Sequence, residues 1–271
     1  MRARPYPRST SDPQGHRQMF ETRHHRERRQ RLEAGFQPAW RDLLATRMRT
    51  WRQLDDAERE RLELLALQLL VELHWEAAHG FELSEDIEVT IAADAALLLL
   101  GLPDDSFARV HTVLVHPTTV VLSGEHSQVA GIVSDGPMPI LGQADLHGPV
   151  LIVWDAVLEE ARHPGSGHNV VFHEFAHRLD MLTGDADGTP PMSGTEQAEQ
   201  WVRVCTDVYQ RVVEGRGGTV LRSYAGVNPA EFFAVASEAF FDAPVPLRHE
   251  HPDLYEVLMG YYGQDPAARW R

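Results

Sequence analysis

The 271 residues include 43% apolar side chains and carry 25 basic against 40 acidic groups, for a formal net charge of −15. A chain of this length and apolar content can bury a full core unaided, and its single cysteine, Cys205, excludes an internal disulfide framework and fits a reducing compartment, read here as the cytoplasm. The acidic balance argues against nucleic acid as the main ligand, and the longest nearly apolar stretch, 91–102, is too short to span a membrane and contains Asp94.

Met1-Arg-Ala-Arg-Pro-Tyr-Pro-Arg8 has no apolar run behind its charges, so no secretory signal is expected. All basic residues are arginine, and residues 1–31 hold nine of them against Asp12, Glu21 and Glu27. Residues 1–35 read as a basic, solvated tail, the alternative being a basic arm that docks on an acidic partner; salt-dependent retention on DNA through these arginines is a further, minor reading. One folded domain is expected over 36–271, its N-terminal part, about 36–80, being helical. Asp55 to His79 reads as one amphipathic helix, with Leu62, Leu65, Leu69, Leu70 and Leu73 on its core stripe and Gly80 ending it. Residues 87–93 and 110–122 are rich in β-branched side chains and read as strands. Between them Ala95–Leu102 reads as a short apolar helix stopped by Gly101 and Pro103. Residues 123–148, rich in Gly, Pro, Ser and Asp, read as a long irregular segment flanking a site. Pro149-Val-Leu-Ile-Val-Trp154 then forms a continuous apolar strand.

The chemistry begins at Asn169-Val-Val-Phe-His173-Glu174-Phe-Ala-His177-Arg-Leu-Asp180. In a helix, positions 173 and 177 lie one above the other, so two imidazoles reach one ion and Glu174 reaches a water on it. Such an ion makes the water acidic enough to ionise near neutral pH, with Glu174 as the base. Asn169 caps the start of this helix and Gly184 lies at its end. Phe172, Phe175, Ala176, Leu179 and Leu182 supply an apolar stripe. Asp180 keeps to the metal side, where it supports a ligand or forms a plain salt bridge. Thr183-Gly-Asp185-Ala-Asp187-Gly188 reads as a turn, since it lacks the remaining ligands of a calcium loop.

A catalytic zinc takes a third protein ligand and leaves a fourth position open. Asn228-Pro-Ala-Glu231-Phe-Phe-Ala-Val-Ala-Ser-Glu238 supplies two candidates, with Asn228 as N-cap and Pro229 as the first helical residue. Glu231 is either a ligand or the back-bonding carboxylate of a capping box. Glu238, seven residues on, returns to nearly the same face as a ligand, a support for a ligand histidine or an ion-pair partner. Tyr224 can either donate to a developing oxyanion or simply pack.

These residues resemble the zinc peptidases typified by Mlc titration factor A. The resemblance runs from about Phe36 to the C-terminus and rests on Gly80-Phe-Glu-Leu83, Gly148-Pro-Val-Leu-Ile-Val-Trp154, His173–Asp180 and Pro229–Phe241. It implies that one zinc ion is held by His173, His177 and Glu231, with Glu174 as general base. Related toxin-type gluzincins place a catalytic tyrosine seven residues before the glutamate ligand, a spacing that Tyr224 matches. Some members carry a further histidine in the segment matching Gly131–Gly136, where this chain has Ser134 and Asp135, so no fourth protein ligand is carried over. The prototype's aminopeptidase-like activity and its binding of a sugar-responsive transcriptional repressor are implied in the same way.

The expected fold is α+β and zincin-like: a helical N-terminal part, a small mixed sheet, and the His173 and Glu231 helices behind its edge. Loops at 123–148 and 183–194 are expected to flank the cleft. The expected function is metallopeptidase action on a peptide or protein substrate. The alternative is a regulatory protein that sequesters a transcriptional repressor, with zinc structural or gating; the intact Glu174 favours the enzyme.

Overall fold

The computed structural model describes residues 30–118, 127–129, 132–134 and 148–270. Expectations on residues 1–29, on Asp135 and on most of the 123–148 segment lie outside them.

The chain opens with α1 (Pro38–Arg47), whose Trp40 and Leu44 are buried, and a short 3-10 turn, Arg49–Arg52. α2 (Asp56–Glu72) starts at a reciprocal capping box: Asp55 accepts from the Glu58 backbone, and the Glu58 side chain accepts from that of Asp55. Its leucine stripe is buried as expected, but the helix ends at Glu72 instead of running to His79. Residues His74–Ala77 become strand β1, because Thr112–Val115 offer a parallel partner whose ladder replaces the helical bonds. Gly80, at φ 73°, closes a 3-10 turn after this strand.

The expected strand at 87–93 is a helix. α3 (Glu85–Leu98) takes in both that segment and the apolar run beginning at Ala95. Ile87, Val89, Thr90 and Ile91 lower helix propensity only by tenths of a kcal/mol each, whereas burial on every side rewards a helix that satisfies its own backbone. Glu85, Asp86 and Glu88 in its first turn favour the dipole.

The strand expected at 110–122 is shorter: β2 (Thr112–His116) is followed by loop, with 119–122 outside the described residues. β3 (Ser127–Val129) and β4 (Ile132–Ser134) pair antiparallel by themselves. β5 (Val150–Val153) completes a parallel sheet of order β1–β2–β5, so the expected mixed sheet is a parallel sheet with a separate hairpin. Trp154, expected to end β5, instead begins α4 (Trp154–Arg162).

The remainder is helical: α5 (Val170–Asp180), α6 (Thr195–Val213), α7 (Pro229–Asp242), α8 (Pro244–Glu250), α9 (Pro252–Tyr262) and α10 (Pro266–Arg269). α5 packs between β5, α3 and α7. Its Phe172 and Phe175 meet Phe241 and Phe107 at centroid distances of 5.4 and 4.8 Å. This central placement holds one face of α5 against rigid neighbours. Among the described residues no helix is long and apolar enough to cross a membrane.

Candidate metal centre

α5 is anchored at its N-terminus by side chains from several elements. The Asn169 side chain accepts from Phe172 N at 2.8 Å, as its capping role predicts. Glu160 of α4 takes the Val170 N–H at 2.9 Å, and Glu238 of α7 takes that of Asn169 at 2.9 Å. Backbone donors that have no helical partner are thereby satisfied.

On the helix so fixed, His173 and His177 bring their Nε2 atoms to 3.2 Å, the rings nearly perpendicular at 84°. α7 begins as expected, with Pro229 in its first turn and the Asn228 side chain accepting from Glu231 N at 2.9 Å. The Glu231 carboxylate does not complete a capping box. Its Oε2 lies 3.1 Å from His173 Nε2 and 3.6 Å from His177 Nε2. One donor atom from each of these three buried residues falls within 4.8 Å of the others, a grouping able to hold a metal ion.

The donor set fits a cation. His173 turns its Nδ1 to Glu238 Oε1 at 2.7 Å, so in the neutral ring that nitrogen carries the proton and Nε2 presents a lone pair to Glu231. Glu231 Oε2 is buried and makes no well-formed hydrogen bond, an arrangement that is costly unless positive charge sits between the groups. The electrostatics agree. Burial pulls the His173 pKa down, yet Glu238 and Glu231 outweigh it and hold the ring at about 10. Burial alone would raise Glu231, but the two imidazoles keep it well below the usual carboxylate range.

Glu174 stands beside the cluster with Oε1 buried and unpartnered. Burial raises its pKa, with His173 and His177 opposing, so it is a better proton acceptor than an exposed carboxylate. Tyr224 lies on a 3-10 turn, Ser223–Gly226, its ring centroid 6.1 Å from that of His173. Burial, then the neighbouring Glu231 carboxylate, keeps its hydroxyl protonated above the ordinary phenol range.

Glu238 contacts His173 Nδ1, away from the common point of the ligand atoms. Asp180 Oδ2 accepts from Gly188 N at 2.9 Å, while Oδ1 is buried without a partner. Burial raises its pKa to about 6. Gly188, at φ 79°, passes so close to α7 that a Cβ would run into the Pro229 carbonyl, and its own carbonyl accepts from Trp201 Nε1 at 3.0 Å. Asp180 thus ties the end of α5 to the start of α7. The 183–188 segment forms turns, Gly184 at φ 109°.

Arg222 and Glu160 were not singled out in the sequence. Arg222 binds Glu238 through both terminal nitrogens, at 2.5 and 2.9 Å. Neither residue belongs to a local motif; only the approach of α4 and the 3-10 turn to α5 and α7 gives them a role.

A model of the family described as glucose-regulated metallo-peptidase M90 matches residues 22–263. The protein slr2042 of Synechocystis sp. is 31% identical over 84% of this chain and 85% of its own length. Mlc titration factor A of Serratia proteamaculans is 32% identical over 85% of this chain and 88% of its own length. Its namesake in Pectobacterium atrosepticum is 34% identical over 80% of this chain and 83% of its own length.

Proposed function

The chain belongs to the glucose-regulated metallo-peptidase family M90, and from that premise we propose that it is a zinc-dependent peptidase of gluzincin type with a zincin-like fold. The observation that carries this reading is the convergence of His173 Nε2, His177 Nε2 and Glu231 Oε2 beside the unpartnered Oε1 of Glu174. Two imidazoles and a carboxylate suit zinc, and three protein ligands leave a position open for water or substrate.

When bound, the ion supplies Lewis acidity, lowering the pKa of a water from about 15.7 to about 7. Glu174 takes the proton of the attacking water on its carboxylate and returns it to the departing amine nitrogen. Tyr224, protonated at working pH, donates its hydroxyl to the oxygen on which negative charge develops. Glu238 holds the His173 ring by its Nδ1 proton, and Asp180 holds the two ligand helices together. β5, at the edge of the described sheet and packed on α5, offers an extended substrate a strand to pair with.

The substrate is a peptide or protein, with aminopeptidase-like trimming as the finer expectation and the cytoplasm as the location. Glu174→Gln is expected to keep zinc and lower kcat/KM for peptide cleavage by at least about 100-fold, the scale of a lost acid–base group. A variant that holds zinc and cleaves like the wild type would refute the assigned base.

A second reading draws on the relatives named Mlc titration factor A. In it the chain binds and sequesters a transcriptional repressor, and zinc is structural or gates the docking surface. Under that reading Glu174→Gln titrates the repressor as fully as the wild type does.

A further inference from the structure

We propose that Arg222 is a positioning residue of the metal centre, which acts through Glu238 to aim His173 Nε2 at the ion. The inference rests on the zinc reading above and extends it to a residue outside the ligand set. Glu238 is a buried carboxylate, its side chain 2% exposed, with four donors converging on its two oxygens. Oε1 takes His173 Nδ1 at 2.7 Å and Arg222 Nη2 at 2.5 Å; Oε2 takes Asn169 N at 2.9 Å and Arg222 Nη1 at 2.9 Å. Arg222 therefore supplies half of the bonds and the one fixed positive charge among them. Its planar fork sets the rotation of the carboxylate, and a carboxylate held at both oxygens presents Oε1 to His173 in one direction only. The direction of that bond fixes the tautomer and tilt of the imidazole, and hence where its other nitrogen points.

Arg222 is itself well placed to act as a bracket. Nη1 also approaches His168 Nδ1 at 3.2 Å, immediately before the α5 cap, and Cζ lies 5.9 Å from the centre of the Tyr224 ring. The guanidinium thus touches the lead-in to the histidine helix, the glutamate helix and the turn that bears Tyr224. The Arg222 side chain is 21% exposed, against 2% for that of Glu238. Without Arg222, Glu238 would be a buried carboxylate with one donor left on each oxygen and no guanidinium beside it, and its hold on the His173 ring would loosen.

The test measures zinc affinity in the full-length protein, stripped of metal and reloaded in competition with a chromophoric chelator. Arg222→Met is expected to weaken zinc by about 10- to 100-fold, the usual cost of removing support from a ligand histidine. Arg222→Lys, keeping the charge but not the fork, should fall between the two. Arg222→Met combined with Glu238→Gln should weaken zinc no more than the worse single change, because both cut one chain of contacts. A merely structural arginine would lower the unfolding midpoint of metal-free and metal-loaded protein alike and leave the affinity unmoved. Wild-type affinity in Arg222→Met, or independent multiplication of the two effects, overturns the proposal. Should Arg222→Met not fold, wild-type affinity in Arg222→Lys overturns it equally. A wild-type protein that takes up no zinc overturns instead the zinc reading beneath it.

Discussion

Glu231 and Glu238 lie on one helix, seven residues apart, and meet opposite nitrogens of the same imidazole. Glu231 Oε2 is 3.1 Å from His173 Nε2, and Glu238 Oε1 is 2.7 Å from His173 Nδ1. Both carboxylates are 2% exposed in their side chains, yet Glu231 also approaches His177 Nε2 whereas Glu238 lies on the far side of the His173 ring. Glu231→Ala should therefore weaken zinc by more than about 100-fold, beyond the about 10- to 100-fold expected for Glu238→Gln. Metal content after dialysis against a graded zinc buffer measures both. Equal losses would mean that the roles are not divided as described. Asp180 teaches a different lesson. Its position one turn after His177 placed it on the metal side; in the structure it accepts from Gly188 N and also interacts electrostatically with His177.

The element on which the centre depends is α5, and its critical end is the first turn. Asn169 caps Phe172 N, and its side chain also opposes the burial that raises the pKa of Asp94 in α3, so it bears on both the helix and its neighbour. Asn169→Ala should cost about 1 kcal/mol, the typical cost of a lost cap. Denaturant unfolding followed by circular dichroism checks this; a loss under about 0.5 kcal/mol, the low end for caps, would show that Glu160 and Glu238 hold the helix start without it. α3 also shows where composition misleads. Its β-branched first half looks like a strand in isolation, but it is buried all round between α1, α2 and α5. A surface strand would have shown alternation; a helix at the centre shows none.

At the scale of the molecule, buried acids gather behind α5. A cavity of about 50 Å³ is lined in part by Arg47, Arg49, Asp94, Glu160, His168 and Asp242. Burial, first of all, lifts Glu160 to about 8 and Asp94 to about 7. A carboxyl whose folded pKa lies above its unfolded value stabilises the fold most when protonated in both states. The Glu160 contribution is thus full below about pH 4.5 and is lost as pH rises towards about 8, at about 1.4 kcal/mol per pH unit crossed. Unfolding free energy measured from pH 5 to pH 9 should show this loss, superimposed on the opposite trend of lowered groups such as Glu250 at acid pH. Glu160→Gln, still able to accept from Val170 N, should flatten the decline between about pH 4.5 and about 8. An unchanged slope in that variant would show that Glu160 is ionised in the folded protein at neutral pH.

Local patterns in the sequence were enough for the helix that carries His173 and His177, its Asn169 cap, the Asn228-Pro229 start of α7 and the apolar strand β5. Each depends on neighbours within one or two turns, where residue spacing alone decides which side chains share a face. Spacing could not tell Glu231 from Glu238, since seven residues return to nearly the same face. The packing of α7 on α5 brings Glu231 to His173 Nε2 and Glu238 to its Nδ1. Nor could spacing end α2 at Glu72, make 85–98 one helix or find Arg222. Those outcomes belong to contacts between segments distant in the chain: a parallel partner for β1, burial around α3, and a carboxylate from α7 waiting for the guanidinium. The tertiary structure decided them because burial and pairing energies exceed the few tenths of a kcal/mol by which local propensities differ.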